Sequence, residues 1–255
     1  SAFQIFTPWM YLLCSEARDA VARFAVDHEP KRTDDEDLIR FIAHAGIQIR
    51  TSTLSVLVDP WLYSSTRVEP ILKGLEPGSH TIDYLIPEPK NSIRDIEADT
   101  ILLSHFHTHH SPLREITEFA TLRPVTIICP EIPQGQKLQL EIDLGEFMFS
   151  RIKFHFISED KTITLSDGTT VQCLTHTHPN HLAFYVETKH TRILHISDAS
   201  VNEDKSHIHF SKTWDKFYNL KPDFFFSGAG GHNARKMDGF DRDIIENSTL
   251  TPVQA

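Results

Sequence analysis

The stretch TILLSHFHTHHSPL, residues 100–113, decides how the rest of the sequence is interpreted. It begins with a compact apolar run of the kind that forms a buried β-strand. Four histidines then occupy six positions: His105, His107, His109 and His110. Because side chains alternate along an extended segment, His105 and His107 project to the same side and can bind one cation together. A cluster without metal would have to desolvate several imidazoles, so the pattern favours a metal site over an exposed histidine-rich turn.

A helix is predicted directly after the histidines, over PLREITEFATL. Ser111 can cap this helix, and Pro112 suits its first turn. His109 and His110 therefore lie at a strand-to-helix turn, where the chain can direct side chains toward a second position. The N–H groups at the start of the helix would point to the same place.

Composition narrows the class of protein. The 255 residues can bury a sizeable core, and 40% apolar with 24% charged residues is ordinary for a globular protein. The net charge of -10 argues against nucleic acid as the main partner. Three widely spaced cysteines without a CxxC pair fit a reducing, cytoplasmic location. The segment PWMYLLC is short and lacks a basic flank, so we expect neither a signal peptide nor a membrane span.

Short β-rich runs dominate the chain from residue 38 onward, after a predicted amphipathic helix at residues 8–27 and a charged linker. IRFIAHAGIQIR and TLSVLVDPWL are predicted as two neighbouring strands, and LAFYVET and RILHIS as another pair. SKTWDKFYNL is a predicted helix. Further strands are predicted over VTIIC, FMFSRIKFHFI, KTITL, TVQCLTH and DFFFS. This pattern indicates one mixed α/β domain with its site where strands end.

Additional candidate ligands stand at the ends of other predicted strands. THTHPNH contains three histidines, and a glycine turn that allows close backbone approach precedes a lone one in SGAGGHNA. LHISDAS ends in a carboxylate that could bridge two cations, and the aspartate of VLVDPW could hydrogen-bond a ligand histidine. These residues are His176, His178, His181, His232, Asp198 and Asp59.

The order of these motifs resembles that of the metallo-β-lactamase-fold hydrolases: HxHxxH, a lone histidine, an aspartate at a strand end and a final histidine. FIAHAG followed by LVDPWL is similar to the opening hairpin of the lactonase and N-acyl-phosphatidylethanolamine phospholipase D-like branches. The resemblance covers roughly residues 38–235. It implies a four-layer αβ/βα sandwich over residues 38–255, with residues 1–37 forming an extra N-terminal helix and linker.

The resemblance also implies a role for each motif residue. The first metal would be held by His105, His107 and one histidine of THTHPNH, with His178 preferred, His176 second and His181 third. Asp198 would bridge two metals, and Asp59 would bond a ligand histidine. His44 would either line the pocket or bond to backbone in the core. The ligands implied in full are His105, His107, His109, His110, His178, Asp198 and His232.

The chain departs from the family pattern at one position, because it has HxHxHH where the family usually has HxHxDH. His109 stands in place of the aspartate and removes one negative charge from the site. Nitrogen-rich sites favour zinc, iron or nickel over magnesium. We therefore expect one or two divalent ions, with zinc preferred and iron or manganese as alternatives. His109 ligates the second metal, or lines the pocket or acts as a general acid in a one-metal site, or marks a degraded second site.

The leading functional hypothesis is a metal-dependent hydrolase, in which a metal-bound hydroxide attacks a small-molecule ester, lactone or phosphodiester. His109 and Asp198 are its candidate catalytic residues, since an imidazole that does not ligate can protonate a leaving group. Two alternatives remain open. One is an iron-dependent oxidoreductase on the same fold, and the other is a binding module that has lost catalysis.

Overall fold

Two β-sheets organise the computed structural model, which describes residues 36–43, 45–62, 96–106, 110–175, 180–197 and 215–226. Strands β1 to β6 form the first sheet in sequence order, antiparallel up to β3 and parallel beyond it. Their bounds are β1 (Leu38–Ala43), β2 (Gly46–Arg50), β3 (Ser55–Val58), β4 (Thr100–Leu102), β5 (Val125–Pro130) and β6 (Ile152–Ile157).

The second sheet has the strand order β11-β10-β9-β8-β7. Its neighbours are antiparallel, except that β10 and β11 run parallel. The bounds are β7 (Lys161–Thr164), β8 (Thr170–Thr175), β9 (Leu182–Glu187), β10 (Arg192–His195) and β11 (Phe224–Phe226). Helix α1 (Leu113–Leu122) links β4 to β5, helix α2 (Gln134–Phe149) links β5 to β6, and residues 215–219 are also helical.

Three apolar clusters stack these elements into four layers. The first packs α1 and α2 on one face of the first sheet, through residues such as Phe119 and Leu140 against Leu57. The second lies between the sheets, where Val56 faces Phe184 and their neighbours. The third packs the far face of the second sheet on the helical residues 215–219. The predicted αβ/βα sandwich is therefore confirmed.

Burial on both faces explains why the central strands are mostly apolar. All four residues of β3 are buried, since Leu57 points to the helices while Val56 and Val58 point to the second sheet. Phe184 of β9 is fully buried between the sheets. Removing a side chain of this size from water stabilises the fold by about 1.5–3 kcal/mol.

Most predicted strands are confirmed, and three local predictions are wrong. IRFIAHAGIQIR is a hairpin of two strands, β1 and β2, rather than one strand. FMFSRIKFHFI begins with the last turn of α2, and its strand starts only at Ile152. Pro112, in an extended conformation, occupies the cap position of α1 in place of Ser111. The predicted N-terminal helix lies outside the described residues.

Helix α2 lacked a clear signal in the sequence because its apolar residues lie on two faces. Leu140 and Leu144 are buried, whereas Leu138 and Ile142 are 58% and 63% exposed. An amphipathic helix is recognised by a single apolar stripe, so two opposed stripes obscure the helical period. Gly145, with φ of 71°, also interrupts the helix.

The two described cysteines are buried free thiols, one in each sheet. Burial raises the pKa of Cys173 to about 12 and that of Cys129 well above its usual range. Because the thiolate is the reactive form, we expect neither to react with iodoacetamide in the native protein and both to react in urea. Peptide mass spectrometry after native and denatured labelling measures this. Native labelling of either residue to completion would contradict it.

Asp160 joins the start of β7 to the helical residues 215–219. Lys216 donates to its carboxylate, and Thr175 donates through its backbone N and its hydroxyl at 2.7 and 3.0 Å. Burial acts to raise the pKa of Asp160, but the bonds from Lys216 and Thr175 lower it below the ordinary 3.8. A carboxyl whose folded-state pKa is lowered stabilises the fold above that ordinary value and loses its contribution as the pH falls through the folded pKa.

We therefore expect Asp160→Asn to lower the free energy of unfolding at neutral pH by up to about 1 kcal/mol, since the pair is partly exposed and screened by solvent. The difference from wild type should vanish below the folded-state pKa, where both proteins carry a neutral side chain. Urea unfolding across a pH series tests this. A difference that persists unchanged into strong acid would contradict the assignment.

Candidate metal centre

The candidate site lies at one rim of the sandwich, where strands of both sheets end. Parallel strands β3 and β4 finish at the same edge, so Asp59 and Ser104 follow them side by side. Ser104 also joins the two sheets, because its carbonyl accepts a hydrogen bond of 2.8 Å from Leu182 N at the start of β9. Ser197, which follows β10, reaches the same point.

Asp59 is the centre of a buried hydrogen-bond network. Its Oδ1 accepts from Ser104 N at 2.8 Å, and its Oδ2 accepts from Ser104 Oγ at 2.6 Å, His110 Nδ1 at 2.9 Å and Ser197 Oγ at 3.0 Å. Asp59 has φ of 44°, a left-handed conformation that aspartate tolerates better than most residues. The carboxylate is fully buried, and its donors compensate for the loss of water.

The same partners keep Asp59 ionised. Burial acts to raise the pKa of Asp59, but the electrostatic interaction and the hydrogen bond with His110 lower it, and His195 and Ser104 lower it further. The pKa of Asp59 therefore lies below its ordinary value. An ionised carboxylate can only accept hydrogen bonds, so the proton of the pair resides on Nδ1 of His110.

Three histidine rings lie in contact beside this carboxylate. The ring centroids of His105 and His110 are 4.0 Å apart, and those of His105 and His181 are also 4.0 Å apart. Nδ1 of His110 is bonded to Asp59, and Nδ1 of His105 lies 2.9 Å from Ser104 Oγ. Nε2 is therefore the nitrogen that each ring can offer to a metal, and both Nε2 atoms are buried.

This donor set fits a divalent metal. Ligand histidines commonly donate Nδ1–H to a carboxylate or other oxygen and bind a metal through Nε2. His110 shows the first of these two features, the bond from Nδ1 to Asp59. Among the residues that the structure describes, no group of three or more histidine, cysteine, aspartate or glutamate side chains is arranged to hold an ion. The assignment of His105 and His110 as ligands therefore stays a prediction.

The other predicted ligands lie outside the described residues: His107, His109, His178, Asp198 and His232. The same applies to His44 and His176. Of the three histidines in THTHPNH, the structure describes only His181, which was the third choice, and places its ring against His105. The selection among the three stays a prediction.

Sequence reasoning overlooked four residues around the site. Ser104 and Ser197 complete the network of Asp59, and Glu115 accepts a bond of 3.1 Å from Leu62 N, which ties the loop after β3 to the first turn of α1. His195 is buried, and its Nε2 lies 2.8 Å from Ala45 O. Serines next to HxH and next to a strand-end aspartate were visible signals, whereas these long-range pairings were not.

Solved structures with a similar fold include several metal-dependent enzymes. Isothiocyanate hydrolase from Delia radicum gut bacteria superposes with a TM-score of 0.54 at 12% identity, covering 84% of this chain and 76% of its own. A possible metal-dependent hydrolase from Veillonella parvula gives 0.51 at 11% identity, with coverage of 84% and 76%. A mutant of the diiron β-hydroxylase CmlA from Streptomyces venezuelae gives 0.52 at 17% identity, covering 94% of this chain.

Because the sequence identities are only 11–17%, these similarities are evidence for the fold alone. The present chain spans 47% of the length of CmlA. No protein-family model and no curated protein sequence matches the chain. Within the described ranges, no helix is long and apolar enough to cross a bilayer. Together with the layer order described above, the similarities show that this chain shares the αβ/βα sandwich fold of these proteins.

Proposed function

We propose that this protein is a metal-dependent hydrolase of a small-molecule ester, lactone or phosphodiester. The observation that carries the proposal is the buried Asp59–His110 pair, with the rings of His105 and His181 in contact beside it. His105 and His110 are buried and each is held through Nδ1, so Nε2 is the ring atom that a ligand role would use. A divalent ion is a partner that neutral imidazoles accept through Nε2.

His105 and His110 are the proposed ligands that the structure describes. Asp59 orients His110 by accepting its Nδ1–H, and Ser104 bonds to both Asp59 and His105. A bound divalent ion would make water nucleophilic at neutral pH and polarise a carbonyl or phosphoryl oxygen. The remaining proposed ligands are His107, His109, one histidine of THTHPNH, Asp198 and His232.

Two of these residues have proposed catalytic roles. Asp198 is the next residue after Ser197, whose Oγ lies 3.2 Å from His110 Nδ1, and its proposed role is to bridge two metals. His109 precedes His110 and would either ligate or protonate the leaving group. The net charge of -10 makes a small substrate more suitable than a polyanionic one.

Iron-dependent oxidation is the second candidate function. It is supported by the likeness to CmlA, a diiron β-hydroxylase, whose mutant aligns with 94% of this chain. Sites rich in imidazole also suit iron. Oxygen consumption by the iron-loaded protein distinguishes the two candidates, because hydrolysis needs no redox-active ion.

The test combines metal content with activity. Protein purified without added metal is analysed by elemental mass spectrometry, alongside His109→Ala, His110→Ala and the exposed control His190→Ala. About two equivalents falling toward one in His109→Ala would make His109 a ligand of a two-metal site. The zinc-loaded protein is then screened on p-nitrophenyl acetate, a γ-lactone and bis-p-nitrophenyl phosphate, and the iron-loaded protein for oxygen consumption.

The outcomes separate the candidates. Hydrolysis that is lost in His110→Ala and kept in His190→Ala supports the hydrolase. Oxygen consumption with iron, without hydrolysis, favours the oxidoreductase. Failure to bind zinc, iron or manganese would overturn both and leave a binding module.

A further inference from the structure

Two buried serine hydroxyls connect the imidazoles of the candidate metal centre. Ser104 Oγ lies 2.6 Å from Asp59 Oδ2, 2.9 Å from His105 Nδ1 and 2.8 Å from Ser197 Oγ. Ser197 Oγ lies 3.0 Å from Asp59 Oδ2 and 3.2 Å from His110 Nδ1. Both serines are at most 1% exposed. A continuous path of hydrogen bonds therefore links His105 to His110 through Asp59.

The single proton of the Ser104 hydroxyl decides the state of His105. Its shortest contact is with Asp59, and an ionised carboxylate can only accept, so Ser104 donates there. Once that proton is committed, Ser104 Oγ can only accept in its contacts with His105 Nδ1 at 2.9 Å and Ser197 Oγ at 2.8 Å, so each is a hydrogen bond when the ring and Ser197 donate. A neutral imidazole that carries its proton on Nδ1 has a lone pair on Nε2. His110 reaches the same state by donating Nδ1–H to Asp59 directly.

We propose that Ser104 and Ser197 are positioning residues that, through Asp59, hold His105 and His110 in the Nδ1–H tautomer, so that both rings present Nε2 to a metal. The inference deepens the proposed function, on which its consequence for metal binding rests. The tautomers themselves are properties of the metal-free protein.

The backbone at Ser197 supports a specific role for its hydroxyl. Ser197 has φ of 47°, in the left-handed region that favours glycine. A serine in this conformation has an unfavourable backbone energy. Its side chain, however, contacts Asp59, Ser104 and His110. The position also offers two matched variants. Ser197→Gly removes the hydroxyl and relieves the backbone, whereas Ser197→Ala removes the hydroxyl and keeps the strain.

Long-range ¹H–¹⁵N correlation spectra of histidine-labelled protein test the proposal. They are recorded with a chelator at about pH 8.5, where an ordinary imidazole is neutral. Variants His105→Gln and His110→Gln assign the resonances. In wild type we expect both rings to show a protonated Nδ1 and an unprotonated Nε2. Ser104→Ala should convert His105 to a mixture of tautomers, while His110, still bonded to Asp59, stays unchanged.

Ser197→Gly and Ser197→Ala should affect His110 alike, because they share only the loss of the hydroxyl. We expect a broadened or shifted Nδ1 resonance of His110 in both. An effect confined to Ser197→Ala would assign it to backbone strain and overturn the role of this hydroxyl.

Ser55→Ala is the matched control for Ser104→Ala. Ser55 is equally buried in the first sheet and donates to Glu97 O at 2.6 Å, away from the site. Its loss should lower stability without moving either histidine. Zinc affinity should fall by about 10- to 100-fold in Ser104→Ala and stay unchanged in Ser55→Ala, because partners of ligand histidines have effects of this size.

A protonated Nε2 on His105 in wild type would overturn the proposal, and so would an unchanged His105 spectrum in Ser104→Ala. The wild-type spectrum decides the tautomer even if Ser104→Ala fails to fold. Because the spectra need no metal, a protein that binds no metal yet shows both Nδ1–H tautomers would refute the proposed function alone.

Discussion

Replacing Asp59 with alanine is expected to lower the free energy of unfolding by about 3–5 kcal/mol, the usual cost of removing one partner of a buried charged pair. The variant would leave Ser104 N, the hydroxyls of Ser104 and Ser197, and His110 Nδ1 without their carboxylate acceptor in a fully buried place. Alanine would also have to adopt φ near 44°, which it tolerates less well than aspartate. Both effects act in the same direction.

Urea unfolding with a chelator present measures this loss without any contribution from bound metal. Asp59→Asn should lose less, about 1–3 kcal/mol, because asparagine tolerates the backbone and keeps one acceptor oxygen. Asp143→Ala serves as the control, since Asp143 is exposed and its carboxylate accepts from Gln139 on the same helix. Its stability should change by no more than about 0.5 kcal/mol. An unchanged unfolding midpoint in Asp59→Ala would contradict the central role given to this carboxylate.

Replacing His110 with alanine is expected to weaken zinc binding by more than about 100-fold. Removing a metal ligand should lower the zinc affinity by more than removing the hydrogen-bond partner of a ligand, which lowers it by roughly 10- to 100-fold. His110 is fully buried, its ring contacts that of His105, and its Nδ1 is held by Asp59, so among the described residues its place in the network is specific to this side chain.

Competition with a chromophoric chelator measures the zinc affinity, and circular dichroism establishes that the variant is folded. His190→Ala provides the control, because His190 lies exposed in the turn between β9 and β10. Its affinity should equal that of wild type. A folded His110→Ala protein that binds zinc within threefold of wild type would remove His110 from the ligand set.

Most strands could be predicted from the sequence because they depend on local patterns, whereas the layer order was implied only by the family resemblance. Alternation and apolar runs marked β4, β5, β8, β9 and β10, and the histidine pattern pointed to the rim where β4 ends. Helix α2 was missed, since Leu138 and Ile142 place an apolar stripe on its exposed face. Periodicity identifies a helix only when one face is apolar.

The internal structure of the site could be predicted only in part. Asp59 was expected to bond a ligand histidine, and it bonds His110. The contributions of Ser104 and Ser197 depend on the docking of β10 beside β4 and on a positive φ at a serine, neither of which a local pattern encodes. The contact between His181 and His105 likewise exists only because the start of β9 meets the end of β4.

The hydrogen bond from Leu182 N to Ser104 O couples ligand binding at the site to the association of the two sheets. It joins the two halves of the sandwich at Ser104, whose side chain also contacts Asp59 and His105. Separation of the halves at this point would break the hydrogen-bond network of the site. A ligand that binds the intact site would therefore stabilise the association of the two halves. If zinc binds the site, amide hydrogen exchange at Leu182 should slow when zinc is added. The exchange rate should fall by the factor by which zinc lowers the equilibrium constant for separation of the two halves.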